Sequence, residues 1–147
     1  MMSSPAQYLR LPGRPAMRYT TELHALAIIT TATALMWIPY VIGRMMTFGI
    51  WAPIGNPGID YPVDRPWMDR ARRAHANAVE NLAVFAPLVL VAAITGVSTP
   101  TTRAAAWIYV VARLVHYVIY TSGIRVVRTL AFLVAAMATL VFGVVLT

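Results

Sequence analysis

Three groups of polar residues in this chain have the types and spacing to hold an anionic ligand. In "RARRAHANAVENLAVF", Arg70, Arg73, Asn77, Glu80 and Asn81 recur at intervals of three and four. A helix would align them as one stripe, about 15 Å long from Arg70 to Glu80. In "ARLVHYVIYTSG", Arg113, His116 and Tyr120 repeat at i, i+3 and i+7, again on a single helix face. Arg128 and Thr129 form the third group, and Arg44 stands apart upstream. Fixed guanidiniums make charge-assisted, often bidentate bonds to carboxylates and phosphates. Asn77 and Glu80 add recognition of amide and ammonium groups. The chain has no cysteine, so it offers neither a disulfide framework nor thiolate metal ligands. Any reactive sulfur would have to arrive on a ligand, and no metal site is expected.

The elements that position these residues are apolar. Of 147 residues, 59% are hydrophobic and 12% charged, and the mean hydropathy is +0.67. A soluble domain of this size cannot hide so much apolar surface, which points to an integral membrane protein. Ala25 to Gly43 runs 19 residues without a charge, Leu82 to Thr102 runs 21, and Thr129 to Thr147 runs 19. Ala104 to Ile124 is interrupted only by Arg113. At about 1.5 Å per residue each can cross a hydrocarbon layer of ~30 Å. The expectation is an all-α, membrane-spanning, four-helix up-down bundle over residues 19–147, preceded by a flexible tail over 1–18. That tail carries three prolines, and Met17 within it offers an alternative start. The first helix should begin near Thr20 or Thr21, kink at Pro39 and end between Arg44 and Phe48. Residues 49–68 form the one long connection, with Trp51, Tyr61 and Trp67 suited to the membrane interface.

All twelve basic residues are arginine, and the net charge is +7. No basic face with interleaved aromatics lies outside the spans, so the excess reads as membrane-flank charge and no nucleic-acid partner is expected. Arg44, Arg65, Arg70, Arg72, Arg73, Arg125 and Arg128 fall on one side of the alternating helices, and Arg10, Arg14, Arg18 and Arg103 on the other. Seven against four assigns the first side to the cytoplasm. In a bacterium the membrane would be the inner, cytoplasmic one.

Alternation also gathers the polar groups. Arg44 ends the first span, Arg70 to Asn81 begin the second, Arg113 to Tyr120 end the third, and Arg125 to Thr129 begin the fourth. All belong to the same leaflet, while the other has little beyond Glu22, His24 and Arg103. Arg113 falls near mid-span, where an arginine costs about 2.5–3.5 kcal/mol unless it finds a partner. Glu80 is the candidate, which also allows a purely structural ion pair. Arg70, Arg72 and Arg125 have a plainer reading as headgroup anchors, His75 as a helix-contact residue and Pro87 as a kink.

"RARRAHANAVENLAVF" resembles the second-helix signature of the MAPEG family, the membrane-associated proteins of eicosanoid and glutathione metabolism. Its Arg-Ala-His-x-Asn-x-x-Glu heart appears as Arg73, Ala74, His75, Asn77 and Glu80. "ARLVHYVIYTSGIRVVRTL" is similar to the family's third-to-fourth-helix region, and the likeness spans roughly residues 20 to 147. It implies a homotrimer of four-helix protomers, with glutathione as co-substrate between neighbouring protomers near the cytosolic face. Carried over by position, Arg73, Asn77 and Glu80 hold the tripeptide backbone and its charged ends. Arg113 and Tyr120 match third-helix positions that line the same site, with His116 one turn after Arg113; Arg44 matches a basic residue ending the first helix, and Arg70 joins the binding set from the second-helix stripe. Arg128 faces the thiol, and Thr129 replaces a small hydroxyl residue. Ala76 stands where some members have another arginine.

The implied activity is that of a glutathione transferase or peroxidase acting on lipophilic electrophiles or lipid hydroperoxides drawn from the membrane lipid. Two other readings stay open on the same residues. One is a non-enzymatic lipid- or partner-binding scaffold, which the family also contains. The other is a small exporter using Glu80 as a proton-coupled carboxylate.

Overall fold

The computed structural model describes residues 19–55 and 63–147, and among them every regular element is helical. Helix α1 covers Thr21–Leu35, α2 Ile38–Phe48, α3 Pro66–Thr95, α4 Pro100–Ser122 and α5 Arg125–Leu146. A short 3-10 turn, Ala52–Ile54, follows α2. Helices α1 and α2 together form one span of 28 residues, and α3, α4 and α5 supply spans of 30, 23 and 22. All four are long and apolar enough to cross a membrane. The tail expected over 1–18 and Tyr61 lie outside the described residues.

Local chemistry sets each boundary. Thr20 caps α1, its hydroxyl accepting the Leu23 N–H at 3.3 Å, and Glu22 occupies the first turn. The break between α1 and α2 falls at Met36 and Trp37, just upstream of Pro39, whose ring removes an amide donor. The Tyr117 hydroxyl of α4 donates to the Met36 carbonyl at 2.7 Å, satisfying an acceptor at the break from outside the helix. Helix α4 opens on a capping box between Thr99 and Thr102, with Pro100 at its first turn. It closes on Gly123, whose φ of +89° is the left-handed conformation that a side chain would strain.

The core is built from one aromatic stack and many small residues. Phe85 of α3 lies face to face with Tyr109 of α4 at 3.7 Å and meets the edge of Phe142 of α5 at 5.5 Å. Helices α4 and α5 pack closely through Ala105, Ala112, Ala131, Ala135 and Ala138, all buried. Small residues let backbones approach where lipid gives helices no hydrophobic reason to associate. The large apolar side chains point outward instead, among them Ile94, Leu130, Met137 and Val144.

Two cross-links show that the helices alternate in direction. Near the start of α3, the Arg70 Nε donates to the Thr121 carbonyl near the end of α4, at 2.9 Å. At the other end Glu22 of α1 meets Thr102 in the first turn of α4. The polar residues singled out in the sequence therefore share one end of an up-down bundle.

Candidate functional site

Arg113 is the largest fully buried side chain, with 1% of its surface exposed. Its Nη2 donates to Asn77 Oδ1 across the α3–α4 contact at 3.0 Å. The carboxylate of Glu80, its expected partner, makes no ion pair among the described residues and stands exposed. Helical geometry explains the difference. The buried face of α3 runs through Ala71, Ala74, Ala78 and Phe85. Asn77 lies about 100° from Ala78 and within reach of that face, whereas Glu80, two residues past Ala78, is turned about 200° away. Arg73 shares the outward side with Glu80. The stripe read from the sequence thus splits into an inner edge of Arg70, Asn77 and Asn81, all half-buried, and an outer edge of Arg73 and Glu80.

Below Arg113 on the same face of α4 sits Tyr109, and above it His116. Arg113 Nε and Nη1, the Tyr109 hydroxyl and His116 Nδ1 are buried with no partner among the described residues. Buried polar groups normally find partners, so this column has unused hydrogen-bonding capacity. Its upper end runs into aromatic contacts: His116 meets the edge of Tyr120 at 5.6 Å and leans on Phe132 of α5 at 6.2 Å.

Arg128 joins the column from α5. Its guanidinium carbon lies 4.4 Å from the Tyr120 ring centroid, a cation–π contact that fixes the side chain over α4. The residue is half-buried and sits in the opening turns of α5, whose unpaired amides give that terminus a partial positive charge. Thr129 is exposed, and its hydroxyl turns back to the Arg125 carbonyl at 3.3 Å.

The remaining predicted residues are held by partners that sequence reading did not anticipate. Arg44 is buried and pairs with Asp64, from the long connection, while packing over Phe48 at 5.5 Å. Arg72 and Arg73 both reach Asp69, at 3.0 and 2.8 Å, as i,i+3 and i,i+4 neighbours. Arg70 packs against Gly123, where a Cβ would come within 3.3 Å of its guanidinium. His75 does act as a helix contact, its Nδ1 lying 3.1 Å from the Tyr40 hydroxyl of α2. Acids one turn before an arginine, as Asp69 stands to Arg73, were the available signal; Asp64 gave none, because it pairs across a loop.

Compared with protein-family profiles, residues 24–147 match the MAPEG family, nearly the whole chain. The chain belongs to the MAPEG family. No curated protein matches it. The match covers every residue brought together above, from Arg44 through Asn77, Arg113 and His116 to Arg128. Membership agrees with the four spans and the helical bundle. It places the chain among proteins that include glutathione transferases and peroxidases along with other functions, so the activity of this MAPEG protein has to be argued from its own site.

Proposed function

We propose that this MAPEG protein is a membrane-bound glutathione transferase or peroxidase, and that the polar end of the bundle holds the tripeptide. The observation that carries the reading is Arg128 held over Tyr120 at the start of α5, beside the Arg113–Asn77 column. The residues fit a zwitterionic, multiply charged peptide. Arg73 and Arg70 suit its carboxylates, the Asn77 amide nitrogen suits a peptide carbonyl, and Glu80 suits an ammonium group. Arg44, His116 and Tyr120 complete the surroundings. Arg73 and Glu80 face outward from the single chain, so a neighbouring protomer closes the site, in keeping with a homotrimer. The arginine bias of this end supports a site that faces the cytoplasm.

Glutathione supplies the thiol as co-substrate. A free thiol of pKa about 8.5 is mostly protonated at neutral pH, and the thiolate is the nucleophile. Arg128, together with the amide dipoles opening α5, stabilises the anion; one unit of pKa depression corresponds to about 1.4 kcal/mol. Thr129, in the same turn, is a candidate hydrogen-bond donor to the sulfur once its hydroxyl leaves the Arg125 carbonyl. A groove of about 510 Å³ between α4 and α5, lined by Val111, Val115, Val127 and Leu130, borders the turn that carries Arg128. It would bring a lipophilic substrate from the bilayer to the sulfur. Attack on an electrophilic carbon forms the thioether as the leaving group departs with its bonding pair or, across an activated double bond, as the π pair shifts to the neighbouring atom and is protonated. Attack on the distal oxygen of a hydroperoxide releases the alcohol and leaves a sulfenic acid, which a second glutathione converts to disulfide and water.

Conjugation of a chromogenic electrophile by purified protein in detergent, compared with Arg128→Ala, tests this reading. Glutathione-dependent turnover that falls in the variant supports it; equal rates in the two proteins remove Arg128 from the mechanism.

A further inference from the structure

The end of the bundle opposite Arg128 carries a second constellation, on its outer face. The Tyr19 hydroxyl lies 3.1 Å from His24 Nδ1, and the two rings meet edge to face at 5.9 Å. His24 in turn packs against Trp107 of α4, with ring centroids 6.1 Å apart. Arg103 stands one turn before Trp107 on the same face of α4. It is exposed, and its Nε is bonded to the Thr99 carbonyl at 3.2 Å, which leaves the two terminal nitrogens for an outside acceptor. Among the described residues the one acidic side chain at this end is Glu22. It is 1% exposed and already accepts from Thr102 at 2.6 Å and Ser98 at 3.2 Å. The accessible side-chain charge here is therefore positive.

Beneath His24 a groove of about 440 Å³ runs along α1, lined by Ala27, Ile28, Thr31, Ala32 and Leu35. The small side chains at 27, 31 and 32 hollow it out. From His24 to Leu35 the helix rises about 16 Å, close to half of a ~30 Å hydrocarbon layer. The groove thus starts among interfacial aromatics and stops beside the break at Met36, at the depth where one leaflet's acyl chains end.

We propose that this face binds a phospholipid with a net negative headgroup, drawn from the leaflet opposite the Arg128 site. Arg103 takes the phosphate through charge-assisted hydrogen bonds. When the Tyr19 hydroxyl donates to Nδ1, the His24 ring proton sits on Nε2 and becomes a second donor. Trp107 and Tyr19 flank the headgroup at the level such rings prefer, and one acyl chain fills the α1 groove. The site shares no residue with the polar end described above, so it stands whether or not glutathione binds there.

Native mass spectrometry of the full chain in detergent, with phosphatidylglycerol or phosphatidylcholine of matched chains, tests the proposal. Retention of phosphatidylglycerol about tenfold over phosphatidylcholine is expected, with the preference lost in Arg103→Gln and both lipids displaced in Thr31→Phe. Glycerol phosphate alone, which offers the charge without the chain, should compete poorly. Equal retention of the two lipids by the unaltered protein overturns the proposal, as does a preference unchanged in Arg103→Gln. Complete competition by glycerol phosphate overturns the role of the groove. If Thr31→Phe changes the oligomeric mass and leaves lipid adducts intact, the groove holds a second copy of the chain and the lipid assignment falls. Should Thr31→Phe fail to fold, Arg103→Gln and His24→Ala, both at exposed positions, decide the matter.

Discussion

Arg113 and Asn77 are joined by a 3.0 Å hydrogen bond in the interior of a membrane-spanning bundle, with no carboxylate among the described residues completing the pair. The arrangement puts a full charge on one carboxamide. Asn77→Ala should therefore cost more than Arg113→Met, since the first strands a buried cation and the second removes it. A loss of about 3 kcal/mol is expected for Asn77→Ala. A double-mutant cycle on unfolding in mixed micelles should give a coupling of about 1–3 kcal/mol. Strict additivity would mean the bond contributes nothing.

Arg128 should matter to reaction rate and to its dependence on pH. If the guanidinium stabilises a bound thiolate, Arg128→Ala lowers kcat by about a hundredfold. The sign of the pH effect follows from the active form. Since the thiolate is reactive, removing its counter-charge raises the thiol pKa and moves the rising limb of the pH–rate profile upward, by about one unit. Arg125→Ala, at an exposed position one turn earlier, should leave the profile in place.

Gly43 predicts a steric effect with a built-in rescue. A Cβ there would stand 2.6 Å from the outer ring atoms of Trp67 and 3.2 Å from the Met68 methyl. Gly43→Ala should destabilise by about 1–3 kcal/mol, as overpacking does. Trp67→Phe removes the clashing ring, so the double variant should recover much of that loss in thermal unfolding.

Glu22 anchors the opposite end through Thr102 and Ser98. Glu22→Gln keeps an acceptor and the shape, so it should cost about 1 kcal/mol; Glu22→Ala leaves the buried Thr102 hydroxyl without that acceptor and should cost about 2–3 kcal/mol. Thermal unfolding of both variants in detergent checks the order, and a reversal would remove Glu22 from the account of how α1 docks on α4.

Much of this was legible in the sequence because the membrane leaves few options. Three charge-free apolar runs and a fourth broken only by Arg113 marked the four spans, and alternation assigned the polar groups to one end. Membership of the MAPEG family, expected from Arg73 to Glu80 and from the third-to-fourth-helix region, is shown by the match over 24–147. What the sequence left out depends on rotation about helix axes and on loops. Glu80 and Asn77 both fit a stripe of threes and fours, and only the alanine face of α3 decides which of them meets Arg113. The pairing of Arg44 with Asp64 crosses a loop with no periodicity to read. Pro39 announced a kink, while the separation of α1 from α2 falls two to three residues earlier, where Tyr117 takes up the Met36 carbonyl.

The central claim is that the polar end holds glutathione with its sulfur at Arg128. A density map of the protein in lipid nanodiscs with glutathione added addresses it directly. The account predicts a tripeptide at this end, its sulfur within about 3–4 Å of the Arg128 guanidinium and its backbone near Asn77. A map with no tripeptide there, or with the sulfur directed away from Arg128, would contradict it.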